Sequence, residues 1–358
     1  MNNQKQKYIF DGIQALRFLA ALMVVVTHST FYASERLGTG GSTWTSGAKG
    51  VDIFFVISGF IMVISARNLI GSANDWKIFL QKRLIRVVPL YWIATTFKVV
   101  TLLFLANLVL HAELDWWVIF KSYFFVPSKN IDGEISTFLG VGWTLVFEMF
   151  FYIVFTLSLA LRKNIYQFVG GVLIFFTLLS FIRGDDYSAW WFLMDQMVLE
   201  FYFGMLIGYF TLKGKKIPKN AAIISFFFSL YYLLFSDNLL NLPQILQNGI
   251  PATILVWSTI SLEANIKGRL PRFVLFFGTA SYSLYLFHPL VAPLAPVILN
   301  KLSIGSFPIS IFFSITIAMI VSAFVYLWIE KPLTNLIRRN QKHVKHSKQN
   351  FNRVSKIT

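Results

Sequence analysis

The chain has 358 residues, of which 56% are hydrophobic, 17% aromatic and only 13% charged, with a net charge of +16. That is more apolar surface than one soluble core can hide, and the apolar runs recur along the whole length, so the sequence reads as an all-α, polytopic integral membrane protein. Cysteine is absent, which excludes disulfides, thiolate metal ligands and a cysteinyl acyl-enzyme.

The hydropathy pattern predicts a bundle of about ten transmembrane helices, at roughly 12–34, 51–70, 87–110, 138–161, 165–182, 189–211, 219–236, 246–264, 273–299 and 307–330. The first run is too long for a signal-peptide core and is kept as a helix of the mature chain. Most of the 32 Lys and Arg fall at the two termini and in every second loop, while the alternate loops hold only Arg36, Lys49, Lys121, Lys129, Arg183 and Lys301. This bias puts both termini in the cytoplasm and explains the net charge without invoking nucleic acid. Residues 1–332 read as one membrane domain. Residues 333–358 read as a basic, disordered cytoplasmic tail resting on anionic headgroups, with His343 and His346 as solvated residues rather than metal ligands.

The first helix, "IQALRFLAALMVVVTHS", buries two costly side chains, Arg17 and His28. Eleven residues turn about 1100°, so the two lie within about 20° of each other on one face, about 16 Å apart along the axis. With the N-terminus inside, Arg17 falls in the cytoplasmic half and His28 in the outer half. Intramembrane ionisable residues mark functional sites by default; the alternative is an arginine that snorkels to the headgroups and a histidine that only packs.

The second helix, "GVDIFFVISGFIM", is expected to begin at the outer surface with Asp52, an anion the helix N-terminus would also favour for stability alone. Ser58 and Gly59 thin it near its middle, for close packing or for substrate. In the inner segment "FLQKRLIRVVPLYW", Arg83 and Arg86 are three apart and share a side, with Lys82 nearby. Paired guanidiniums suit phosphate, although ordinary positive-inside anchoring also explains the charge. The outer stretch at about 111–137 contains "DWWVIFKSYFFVP", an expected interfacial or re-entrant helix that could act as a lid or substrate shelf.

The fourth helix, "GWTLVFEMFFY", carries Trp143 and Glu148 in its outer half, near the expected depth of His28, where a carboxylate could orient the imidazole as a general base. Asp195 and Glu200 on the sixth are an i, i+5 pair that points apart, and read as structural. On the ninth, "SYSLYLFHPL", Ser281, Tyr285 and His288 fall at i, i+4 and i+7 on one face, with Pro289 able to kink the helix. The chain lacks G-x-S-x-G, a P-loop, G-x-G-x-x-G and H-E-x-x-H, which leaves hydrolase, nucleotide-driven pump and metalloprotease readings without an anchor.

Taken together, these segments and the terminal "EKP" run in order from about residue 12 to 332 and resemble the acyltransferase-3 family of integral-membrane O-acyltransferases. Such enzymes modify nodulation factors, O-antigens and exopolysaccharides, and the opening segments look most like the exopolysaccharide branch. No SGNH-type esterase domain follows, so the resemblance is to stand-alone members. It implies transfer of an acyl group, most commonly acetyl, from cytoplasmic acyl-coenzyme A to a sugar hydroxyl of an extracytoplasmic or lipid-linked polysaccharide, at a bacterial cytoplasmic membrane. The donor is a substrate, and no permanently bound cofactor or metal is implied. In that scheme Arg17, Arg83 and Arg86 bind the donor, His28 is the base and Glu148 orients it. Asp52, Trp143, Ser281, Tyr285 and His288 bind the acceptor or steady the oxyanion. A transient acyl-histidine stays open, as does oligomeric state, a homodimer among the options. The competing class is a glycolipid or polysaccharide-intermediate flippase, which needs no base near the acceptor.

Overall fold

A computed structural model describes residues 10–38, 40–67, 75–106, 109, 113–131, 133–184, 186–236 and 242–337. The expected basic tail lies outside the described residues from 338 onward, and the last helical stretch reaches Ile337. In chain order the elements are α1 (Asp11–Leu37), α2 (Gly50–Ala66), α3 (Asp75–Phe104), α4 (Trp116–Tyr123), the two-stranded antiparallel hairpin β1 (Ser128–Lys129) and β2 (Ile135–Ser136), α5 (Trp143–Ala160), α6 (Ile165–Ser180), α7 (Val198–Leu212) and α8 (Lys219–Phe235). There follow α9 (Ile250–Ser261), α10 (Glu263–Ile266), α11 (Arg272–Thr279), α12 (Ser281–Val291), α13 (Leu294–Lys301) and α14 (Phe307–Val325).

Among the described residues, six helical stretches are long and apolar enough to cross a membrane: Asp11–Leu37, Thr45–Ala66, Asp75–Phe104, Gly140–Ala160, Ser281–Lys301 and Phe307–Ile337. Three more apolar helices, α6, α7 and α8, are shorter. The all-helical membrane class expected from composition is therefore what the chain adopts. Large apolar side chains such as Phe175, Ile224, Phe228, Phe312 and Ile320 lie exposed on α6, α8 and α14, as faces turned to lipid should.

Two boundaries that bear on the site differ from expectation, while the expected interfacial helix is present and short. The third helix starts at Asp75 rather than near 87, so Arg83 and Arg86 stand on a helix and not in a loop; Pro89 is absorbed within it. The single helix expected at 273–299 is divided into α11, α12 and α13, with breaks at Ala280 and at Ala292 and Pro293. The "DWW" stretch forms α4, eight residues long and so only about 12 Å. Its N-terminus is capped by the Asp115 carboxylate, which accepts from the backbone N–H groups of Trp117 and Val118. Trp116, Trp117 and Phe120 are left exposed, as an interfacial helix requires.

Two devices fix the helices that carry the site. α1 is preceded by Phe10, which cannot cap it, and its first N–H groups are satisfied from a distant element: Glu263 accepts from Asp11 at 2.7 Å and from Gly12 at 3.0 Å. At its other end the chain turns through Gly38 at φ 59°. α2, near the centre, packs most extensively on α7. The contact is closest at Gly59 and Gly204, where an added methyl would meet the Phe201 and Val56 carbonyl oxygens respectively. Gly59 therefore serves backbone approach rather than substrate space.

Candidate active site

α1 packs along α2, α11, α12 and α14, whereas α5 packs mainly on α3 and α6. This arrangement decides which polar side chains meet. His28, half-buried on α1, reaches the fully buried His288 of α12, with Nδ1 to Nε2 at 2.8 Å. The other ring nitrogen of His288, Nδ1, lies 3.1 Å from the Leu284 carbonyl oxygen. A carbonyl only accepts, so His288 Nδ1 carries a proton and, in the neutral ring, its Nε2 is an acceptor. The His28 Nδ1–H then donates to it. The chain of bonds leaves the unshared pair of His28 on Nε2, the nitrogen available for a substrate proton.

His28 lines a cavity of about 870 Å³ at the end of the bundle where α1 finishes. Asp52, Trp143, Tyr285, Lys49 and Lys98 share that cavity. The Lys98 ammonium donates to the Phe138 carbonyl at 2.6 Å. Asp52 is not a surface charge as expected; it is only 2% exposed and lies beside Glu200 of α7. Glu200 is fully buried. Asp195, expected to point away from Glu200, pairs with Arg183 at 3.2 Å.

A second, smaller cavity of about 180 Å³ lies toward the end where α1 begins, and Arg17, Arg83, Arg86, Glu148, Ser281 and Tyr285 line it. Arg17 faces Arg86, Glu148 and Glu330. Arg83 donates to Ser65 and lies 5.4 Å over the Phe79 ring. Glu330, of the terminal "EKP", accepts from Ser283 at 2.6 Å. It was not singled out from sequence, although an acid at the end of an apolar helix was the signal that could have found it.

The expected pairing of Glu148 with His28 is corrected by these contacts. Glu148 accepts from Tyr152, and Ser58 lies 3.4 Å away; it belongs to the arginine cavity. The reason is the neighbour of α1 at His28, which is α12 and not α5. Ser281 is likewise on the arginine side, its buried hydroxyl without a hydrogen-bond partner among the described residues. The face expected at Ser281, Tyr285 and His288 therefore does not line a single pocket: Ser281 is at the arginine cavity, Tyr285 at both, and His288 is buried behind His28.

The two cavities have Val51 and Tyr285 in common. Tyr285 is held in place by Thr144, oxygen to oxygen at 2.9 Å, and by the Val141 carbonyl at 3.2 Å. A chamber lined by an imidazole and a chamber lined by three guanidiniums thus abut at one wall. An imidazole can take a proton from a hydroxyl, and guanidiniums can hold phosphate.

The chain belongs to the acyltransferase-3 family: the model described as "Acyltransferase domain" matches residues 10–328. It is an acyltransferase of the membrane O-acyltransferase kind, transferring groups other than aminoacyl groups. Among its relatives it is 35% identical over 311 residues to the exopolysaccharide production protein ExoZ of Rhizobium meliloti (strain 1021), covering 85% of this chain and 93% of that one. It is 26% identical to a Staphylococcus aureus (strain COL) protein named as an O-acetyltransferase, over 92% of this chain and 58% of the relative. It is 23% identical to YrhL of Bacillus subtilis (strain 168), named as a peptidoglycan O-acetyltransferase, over 92% of this chain and 55% of the relative. No solved structure matches significantly.

Proposed function

We propose that this chain transfers an acetyl group from acyl-coenzyme A to a sugar hydroxyl of an extracytoplasmic or lipid-linked polysaccharide, at a bacterial cytoplasmic membrane. The observation that carries the reading is the pair of cavities meeting at Val51 and Tyr285, one lined by Arg17, Arg83 and Arg86 and the other by His28. The positive-inside bias puts the arginine cavity on the cytoplasmic side, where the donor is made. The names of the relatives support both acetyl as the group and an exopolysaccharide as the acceptor class.

In this reading the three guanidiniums bind donor phosphates as charge-assisted, partly bidentate pairs. Glu330 and Glu148 limit the repulsion among them while the cavity is empty. The thioester reaches the wall at Val51 and Tyr285, and the acceptor hydroxyl approaches from the outer cavity. His28 Nε2 takes the hydroxyl proton as the oxygen attacks the thioester carbon. The C–S bond then breaks, and the same proton passes to the departing thiolate, so that ester and free thiol are the only products. His288 is a positioning residue in this scheme. It fixes the tautomer of His28 and accepts from the Nδ1–H that gains charge during transfer.

The test is incubation of membranes containing the protein with radiolabelled acetyl-coenzyme A. Label appearing in added or endogenous polysaccharide, dependent on acceptor, is the expected outcome. Movement of glycolipid across the bilayer with no label transfer would favour the flippase reading.

A further inference from the structure

The outer cavity does not end at the acceptor hydroxyl's position. A neighbouring cavity of about 370 Å³ shares Glu134, Ser136 and Trp143 with it and continues along the β1–β2 hairpin to Tyr187. Both volumes fall within the range of about 300–1,000 Å³ usual for small-molecule sites. Trp143 is half-buried and held edge-on against Phe147, with ring centroids 5.9 Å apart at 87°. At the far end an exposed ion pair joins the hairpin to the loop, Lys129 of β1 to Asp186 at 2.8 Å.

Tyr187 is mounted with more care than a loop residue needs. The guanidinium of Arg183 lies 4.0 Å from its ring centroid and covers one side of the ring. That guanidinium is itself pinned, by Asp195 at 3.2 Å and by the Met194 and Trp191 carbonyls at 2.8 and 3.4 Å. The tyrosine is therefore a plate with a fixed backing, packed against the core and lining the cavity. Rigid aromatic surface is contact area gained at little cost in conformational entropy.

We infer that this neighbouring cavity is a second sugar subsite, so that the acceptor is bound as an oligosaccharide whose next unit lies between Trp143 and Tyr187 while the acylated unit lies at His28. The inference rests on the acyl-transfer reading above. A pyranose ring has an apolar C–H face and a rim of hydroxyls. The cavity matches both, with two aromatic rings for the face and with Glu134, Ser136 and the Lys129–Asp186 pair for the rim. A purely structural seam between hairpin and loop would need neither the backed ring nor continuity with the chamber of the base.

The experiment measures transfer of labelled acetyl by the full chain in membranes to fragments of de-O-acylated, acid-cleaved bacterial surface polysaccharide sorted by length. The wild type is expected to favour a tetrasaccharide over a monosaccharide by about tenfold or more in kcat/KM, carried by KM. Tyr187→Ala should collapse that ratio toward one, whereas Tyr187→Phe, which keeps the ring, should retain it. Equal kcat/KM at every length in the wild type, or an unchanged ratio in Tyr187→Ala, would overturn the subsite and leave the acyl-transfer reading standing. Absence of transfer to any fragment or to the intact polysaccharide would overturn both. Tyr187→Ala that loses the length ratio while Tyr187→Phe also loses it would point to loop misfolding and against the stacking role.

Discussion

The two cavities on either side of Val51 and Tyr285 differ in kind. The one toward the start of α1 holds formal charge in a small volume: three arginines, with Glu148 and Glu330 set among them. The one toward its end is about five times larger and spreads its groups over that volume: His28, backed by His288, with Asp52, Lys49 and Lys98 and with aromatic, amide and hydroxyl side chains. Charge recognises a charged substrate, and a spacious polar chamber suits a hydroxyl-rich one. On the proposed reading, the contrast divides donor recognition and proton transfer between different elements, α3 with the start of α1 for the first, and α1 with α12 for the second. Substitutions on the two sides should therefore leave different kinetic signatures.

The largest effect is expected at His28. Removing a positioned base should cost about 10²–10⁴-fold in turnover, and His28→Ala should do so at saturating donor and acceptor while the protein still inserts, read as label transfer per molecule of detergent-solubilised, monodisperse protein. Next come Arg83→Ala and Arg86→Ala. A hydrogen bond to a charged group contributes about 1.5–3 kcal/mol, so each should raise the apparent KM for acetyl-coenzyme A by about tenfold or more. Turnover should move less, and a change confined to acceptor KM would break the division of labour.

His288→Phe removes the acceptor for the His28 Nδ1–H while keeping an aromatic ring of similar size. It should lower turnover about tenfold, and add little in a His28→Ala background, because residues that act as a unit are not additive. Independent, multiplicative losses would separate the two histidines. The smallest effect is expected at Glu148→Gln. The contacts of Glu148 put it with the arginines, so the change should alter donor KM a few-fold and leave turnover close to wild type; a selective loss of turnover would return Glu148 to the base.

Much of this was legible in the sequence wherever a single helix decides the answer. The placement of Arg17 and His28 on one side of α1, of Arg83 with Arg86, and the line from Ser281 to His288 follow from the helical period alone. What did not follow was any fact set by helix–helix contact. His28 and His288 are separated by 260 positions, and nothing local to either distinguishes a histidine partner from the carboxylate of Glu148. The burial of Asp52 beside Glu200 depends in the same way on how α2 meets α7, a contact brought close by Gly59 and Gly204. The early start of α3 was missed because a run of lysine and arginine reads as a loop, although their long aliphatic stems let a helix continue through it.

The most direct test of the account pairs two readings on one variant. Equilibrium binding of radiolabelled acetyl-coenzyme A to His28→Ala in nanodiscs would be measured beside its transfer rate. The expected result is donor affinity equal to wild type with transfer reduced by at least about 10²-fold, since the base lies outside the arginine cavity and takes no part in holding the donor. Loss of donor binding along with transfer, or transfer retained near the wild-type rate, would contradict it.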